Sequence, residues 1–217
     1  MKKYNNYILE KKDEKLIENL LLKNCQPFLK EMKGSQNLFW RGFPLIGKEY
    51  LEFESRKERE PKDTTKELHV SMNEISEKII GWKIRNGVFA TTDYDVAECY
   101  GKDNCECGDN YLFVPIGEFK YAYNPEVKDF TNELDDAWMS SYRVWLLKWD
   151  YLQEKPTIEL SSSNWEIEKM NYLRKLVDGY KTTDLKFAID VEVSFNCKSY
   201  YLIQKTYKDL IYNLIKQ

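Results

Sequence analysis

The sequence predicts an α+β domain. Amphipathic helical spacing occupies the front and middle of the chain, and β-prone runs gather at residues 37–42, 87–92, 111–123 and 189–204. No internal repeat or low-complexity linker divides the 217 residues, a length that suits one well-buried core, so residues 1–217 are expected to form a single domain.

Residues 13–32 repeat apolar side chains at Leu16, Leu20, Cys25, Phe28 and Met32, widened by Ile17 and Leu21, which is helical spacing. Pro27 is expected to bend or divide that helix, and Gly34 to end it. NLFWRG (37–42) is β-prone and closes on Arg41-Gly42. Gly47 to Thr65, charged and irregular with Arg56, Arg59, Pro61 and Lys62, reads as a solvated loop. Residues 67–82 are helical, with Leu68, Met72, Ile75, Ile79 and Trp82 on one stripe. GVFATTDYDVAECYG (87–101) reads as a strand, Val88 to Thr92, followed by a helix that Asp93 caps and Gly101 ends.

A turn-rich KDNCECGDN leads to the strand YLFVP, an Ile116-Gly117 turn and a strand from Glu118 to Tyr123. Residues 133–150 form a helix with Leu134, Trp138, Tyr142, Trp145 and Trp149 on a broad aromatic face. Ser161 to Asn164 cap a further helix, Trp165 to Gly179, with Ile167, Met170, Leu173 and Val177 inward. AIDVEVSF, a turn at Asn196, a strand SYYLIQ and a final amphipathic helix from Lys205 to Ile215 complete the chain.

Composition narrows the function classes. Lys and Arg number 33 against 36 Asp and Glu, a net charge of -3 with both signs interspersed, so no overall field draws the protein to nucleic acid or to an anionic membrane. No apolar run approaches the roughly 20 residues that span a bilayer, and MKKYNNYILEKKDEK lacks the apolar core of a signal peptide, so a cytoplasmic protein is expected. Five scattered cysteines are then expected to be reduced. Cys99, Cys105 and Cys107 do not have zinc-knuckle spacing and the single histidine, His69, is remote from them, so no metal is expected. His69 reads as a helix-start or packing residue. Abundant Lys, Asn, Ile and Tyr match AT-rich coding, as in a low-GC bacterium or its phage.

Three segments carry candidate chemistry. Arg41 ends a strand with a permanently charged, planar fork. Thr91 and Thr92 stand at a strand end where the N-terminus of the next helix opens, a corner that suits an anion. Asp190 and Glu192 are two apart, so in a strand they share a face while Ile189, Val191 and Val193 take the core side and Ser194 the other. A half-exposed strand with a water side explains the same alternation without any function.

In order and character these segments, FWRG at 39–42, GVFATT at 87–92 followed by Asp93 and Ala97, and DVE at 190–192, resemble the mono-ADP-ribosyltransferases of the arginine-serine-glutamate class. That family has a strand ending in Arg-Gly, a Gly-aromatic-x-Ser-Thr-Ser segment opening an Ala-containing helix, and a late strand bearing Glu-x-Glu or Gln-x-Glu. The layout is also similar to a group of uncharacterised tailed-phage proteins. The resemblance spans roughly residues 37–204. It implies a split β-sheet core with an N-terminal helix, a helical insertion at about 124–185, and a catalytic-glutamate strand hairpinned to a terminal strand. The chain departs from the family pattern at Ala90-Thr91-Thr92, where the first hydroxyl is missing, and at Asp190, one methylene shorter than Glu.

The activity implied is transfer of ADP-ribose from NAD, as substrate, to an acceptor. Glu192 would stabilise the oxocarbenium-like ribose, with Glu133 as the competing acid and Glu118 and Asp129 behind it. Arg41 and Gly42 would meet the pyrophosphate or the adjoining ribose, and Thr91 or Thr92 would hold the geometry. Tyr100, Tyr94 or Trp40 would stack on the nicotinamide. Asp190 would orient the nucleophile, leaning toward arginine as acceptor, and Arg56 and Arg59 would add an anion contact or dock the target. A host protein is the expected acceptor, as in host takeover by a phage, with nucleic acid less favoured. An NAD glycohydrolase, and a silent binding module or phage interaction protein, are the rival readings. The histidine-tyrosine-glutamate class is not matched, because no strand-end His-Gly is present.

Overall fold

Pro27 sets how the chain enters the fold. Helix α1 (Lys2–Asn24) stops at Cys25 and α2 (Gln26–Glu31) restarts with the proline in its first turn, where a missing N–H costs nothing. The two share a buried seam of Ile17, Leu21, Cys25, Phe28 and Met32; Leu16, expected in that seam, is 48% exposed. In this computed structural model the described residues are 2–44, 47–61, 64–104, 108–128 and 162–216. The expected helix at 133–150, Asp129, Glu133, Cys105, Cys107 and Lys62 lie outside them.

Among the described residues the fold is α+β, with six helices and five strands that pair antiparallel throughout. Strand β1 (Trp40–Pro44) carries the Arg-Gly. Strand β2 (Tyr50–Glu54) was not expected: it lies inside the stretch that reads as a solvated loop, and pairing with β5 (Glu192–Gln204) makes it a strand despite its alternating glutamates. Helix α3 (Lys66–Ile80) buries Leu68, Met72 and Ile75, leaves Ile79 exposed and ends at Gly81, whose φ of 80° is the left-handed conformation of a helix C-terminus. Strand β3 (Val88–Thr91) leads into helix α4 (Tyr94–Asn104), which runs through Gly101 rather than ending there.

Strand β4 (Gly108–Tyr123) is one strand of 16 residues. The expected Ile116-Gly117 turn is a bulge: Gly117 has φ 66° and the pairing register with β5 shifts between Ile116 and Phe119. Helix α5 (Ser162–Asp178) buries Leu173 and Val177 and leaves Ile167 exposed, and helix α6 (Lys208–Lys216) closes the chain after a short 3-10 turn.

The expected hairpin at Asn196 does not form. Strand β5 runs 13 residues without a turn, with Asn196 paired to Lys120 of β4, because a continuous ladder outweighs the local turn preference of Asn. Asp190 lies outside the strand in the left-handed region, φ 51°, a conformation Asp tolerates better than most residues. The expected alternation therefore fails before Glu192: Ile189 is 59% exposed, and Val191 is buried without being in the strand.

Sheet order is β2-β5-β3-β1-β4, and β4 pairs again with β5. β5 is thus flanked by β4 along one edge, and by β3 then β2 along the other. β1 meets β3 at the single pair Trp40↔Thr91 and otherwise follows β4. The sheet splits where β1 and β3 part. Beneath it lies an aromatic core in which Phe195 touches Phe113 (4.8 Å between ring centroids) and Phe39 (5.1 Å). A second cluster joins Leu68 and Met72 of α3 to Leu173 and Val177 of α5 through Ile84.

The 3-10 turn Ile84–Asn86 is fastened to β5 from both sides. Ser194, expected on a water-facing side, is buried and its hydroxyl donates to the Ile84 carbonyl at 2.5 Å. A Cβ on Gly87 would stand 2.2 Å from the Ser194 Oγ and 3.0 Å from the Phe195 carbonyl oxygen. Gly87→Ala is expected to lower stability by about 1–3 kcal/mol, the cost of overpacking a closed core, read as a lower urea midpoint at unchanged m value; an unchanged midpoint would mean that this junction yields freely.

Candidate functional site

The cleft opens where the sheet splits. A cavity of about 330 Å³, at the lower end of the roughly 300–1,000 Å³ range of small-molecule sites, is walled by β1, the end of β2, β3, the first turns of α4 and the start of β5. Of the residues singled out from sequence, Arg41, Gly42, Arg56, Arg59, Thr91, Tyr100 and Glu192 line it. Asp190 and Thr92 do not line it; Asp190 is exposed on the loop that precedes β5. Of the other aromatic candidates Trp40 lines it too, whereas Tyr94 packs edge-on against the Trp40 ring at 5.0 Å.

Register brings the three segments together. Trp40 pairs with Thr91, and Thr91 pairs with Glu192, so three neighbouring strands present Arg41, Thr91 and Glu192 to one space. Arg41 Nη1 donates to the Phe89 carbonyl and so bridges the two strands that part there. Its Nε is buried without a hydrogen-bond partner, a donor for which the described residues supply no acceptor. Burial lowers the Arg41 pKa from its ordinary value, opposed by Tyr200 and Glu192 nearby; arginine nonetheless stays charged.

The corner at Thr91 is built as the sequence suggests, with one difference. Thr91 Oγ1 accepts from the Asp93 N–H at 3.0 Å, and Asp93 Oδ1 accepts from the Asp95 and Val96 N–H groups at 2.9 and 3.1 Å. The carboxylate of Asp93 thereby occupies the start of α4, and these two amides are not open to a ligand. Positive charge in the cleft comes from side chains instead.

Arg85 is the functional candidate that the sequence did not single out. It lies in the 3-10 turn before β3, outside any recognisable motif, with its side chain 8% exposed and its Nη1 4.0 Å from Glu192 Oε1. Arg85 and Arg59 hold their guanidinium carbons 4.8 and 4.9 Å from the centre of the Phe89 ring, close enough for attraction to its π system. A polar network from α3 fixes the turn: Asn73 Oδ1 accepts the Arg85 N–H at 2.8 Å, and Asn86 Oδ1 accepts from Asn73 Nδ2 at 3.0 Å and lies 3.3 Å from His69 Nε2. Only the run of polar residues on the inward side of α3, His69, Asn73 and Ser76, hinted at this support.

Among the described residues no cysteine lines the cleft. Cys25 is buried, which, with Glu52 nearby, pushes its thiol up to about 12, and burial likewise raises Cys197. Among the described residues no three His, Cys, Asp or Glu side chains gather as a metal would require, and no helix is long and apolar enough to cross a membrane.

No protein-family model, curated protein or solved structure matches the chain. The geometry of the cleft therefore carries the functional argument.

Burial, with Arg85 nearby, holds His69 below the usual 6.5. Because the folded state disfavours the imidazolium, the unfolded chain binds more protons between the folded-state pKa and 6.5. Stability is then full above pH 6.5 and falls as the pH drops below it. His69→Gln is expected to remove that part of the loss, read as melting temperature against pH from 7.5 to 5; parallel curves for the two proteins would remove His69 from the account.

Proposed function

We propose that the protein transfers ADP-ribose from NAD to an acceptor and releases nicotinamide. What supports this above all is the cross-strand line Trp40–Thr91–Glu192, with Arg41 next in sequence, which brings the fork, hydroxyl and carboxylate of the resemblance to one cleft. Asp190 lies outside that cleft, so the lean toward an arginine acceptor loses its basis.

Each residue then has a role. Loss of nicotinamide leaves a developing positive charge on the ribose, and the Glu192 carboxylate stabilises that charge as it forms. Arg85, with its Nη1 4.0 Å from Glu192 Oε1, orients the carboxylate. Thr91 spends its oxygen on the Asp93 N–H and keeps its hydroxyl proton to donate to Glu192 or to a ribose hydroxyl. Arg41 meets the pyrophosphate, with Gly42 allowing close approach of the ligand to β1, and Arg56 and Arg59 add anion contacts. Tyr100 on α4, which lines the cavity together with Trp40, stacks on the nicotinamide. A host protein as acceptor, and action in a host cytoplasm, belong to the same proposal.

Glu192→Gln keeps shape and removes charge, so it separates binding from chemistry. Nicotinamide release is expected to fall about 10²- to 10³-fold, while the NAD dissociation constant measured by calorimetry stays within about threefold, the behaviour of an interaction made mainly in the transition state. Full activity in Glu192→Gln would overturn the carboxylate assignment and turn attention to Glu133. Absence of NAD binding by the unaltered protein would leave the silent binding module.

A further inference from the structure

The charge on the cleft walls bears on the acceptor, and the inference rests on the transferase reading above. Among the described lining residues Arg41, Arg56, Arg59, Arg85 and Lys128 are cations, and Glu54 and Glu192 are the carboxylates, five against two. The cleft is therefore locally positive in a chain whose net charge is -3. Bound NAD brings two negative phosphates and one positive pyridinium, and leaves the walls with an excess of positive charge. A guanidinium or ammonium acceptor would enter a field of its own sign, in a partly enclosed space where screening is weak.

Two further observations point the same way. An arginine, lysine or hydroxyl acceptor must lose a proton before or during attack, and Asp190, the carboxylate expected from sequence to orient such a nucleophile, is exposed outside the cavity. The loop leading into Glu192 presents Phe187 and Ile189 at 63% and 59% exposure, apolar side chains that suit a protein surface better than a phosphodiester chain. Lys128 is tied to the start of β5, its carbonyl accepting the Glu192 N–H at 3.1 Å, and it is an exposed residue that lines the cavity.

We propose that the acceptor is the ionised carboxylate of an aspartate or glutamate on a partner protein, guided past Lys128 to the ribose. The bond between ribose C1′ and the pyridinium nitrogen breaks, its electron pair passes to that nitrogen, and nicotinamide leaves neutral. A carboxylate oxygen supplies the pair for the new C1′–O bond. The product is an ester of ADP-ribose, and no proton is transferred, so the reaction needs no general base.

The test is the chemistry of the linkage. The full chain is incubated with NAD tagged on the adenine and an unfractionated bacterial lysate, and the labelled macromolecules are treated with neutral hydroxylamine or with nuclease. Label on protein that neutral hydroxylamine releases within minutes is the expected result, as for a sugar ester of a carboxylate. Protein label that survives hydroxylamine overturns the inference and leaves the transferase standing. Label removed by nuclease overturns it in favour of a nucleic-acid acceptor. Nicotinamide release with no macromolecular label overturns it together with transfer, and leaves a glycohydrolase; no release at all overturns the proposed function itself. Lys128→Glu supplies an independent arm: the ratio of protein labelling to nicotinamide release is expected to fall about fivefold, the scale of exposed charge pairs, and an unchanged ratio would remove the guiding role of the lysine.

Discussion

Strand β5 is the constraint on which the rest of the structure depends. It is laddered on one edge to β4 and on the other to β3 and then β2, so its register fixes that of three strands at once. Because a slip of one residue would turn Val193 and Phe195 out of the core, the register is held by burial as well as by hydrogen bonds. Glu192 is the first residue of that strand. Its position opposite Thr91 follows from the packing of Phe195 against Phe113 and Phe39 deeper in the same strand.

The cleft exists because β1 leaves β3 after one pair. A fully paired sheet would close the space with backbone hydrogen bonds; here Arg41 spans the gap with a side chain and keeps part of its donor capacity unused. That is a costly arrangement for a residue with only structural work to do, since a buried unpaired donor is usually avoided. The Arg85 turn carries a comparable investment, with buried Asn73, Ser76 and Ser194 all committed to holding three residues in place. Rigid support of this kind keeps a charged side chain at a fixed distance from Glu192, which a loop alone could not do.

Local signals in the sequence were legible where the chain decides its own conformation. The division of the first helix at Pro27, the capping of α4 by Asp93 and the burial of His69 follow from properties of single residues and their neighbours. What was not legible depends on partners distant in sequence. Strand β2 is a strand because β5 lies beside it; β5 passes through Asn196 because β4 pairs with it there; Asp190 leaves the strand pattern because the chain must bend between α5 and β5. Arg85 belongs to no motif, and only the fold brings it to Glu192. The ordered set was legible in part: Thr91 closes β3 and Glu192 opens β5, whereas Arg41, read as ending a strand, is the second residue of β1, and the pairing of Trp40 with Thr91 is what brings it to them.

The central claim is that this cleft receives a dinucleotide. Hydrogen–deuterium exchange with and without NAD tests it without requiring turnover. Binding is expected to slow exchange in β1, at residues 85–91 and at the start of β5, with ADP-ribose protecting the same segments. Saturating NAD that leaves exchange in all three cleft segments unaltered would contradict the account.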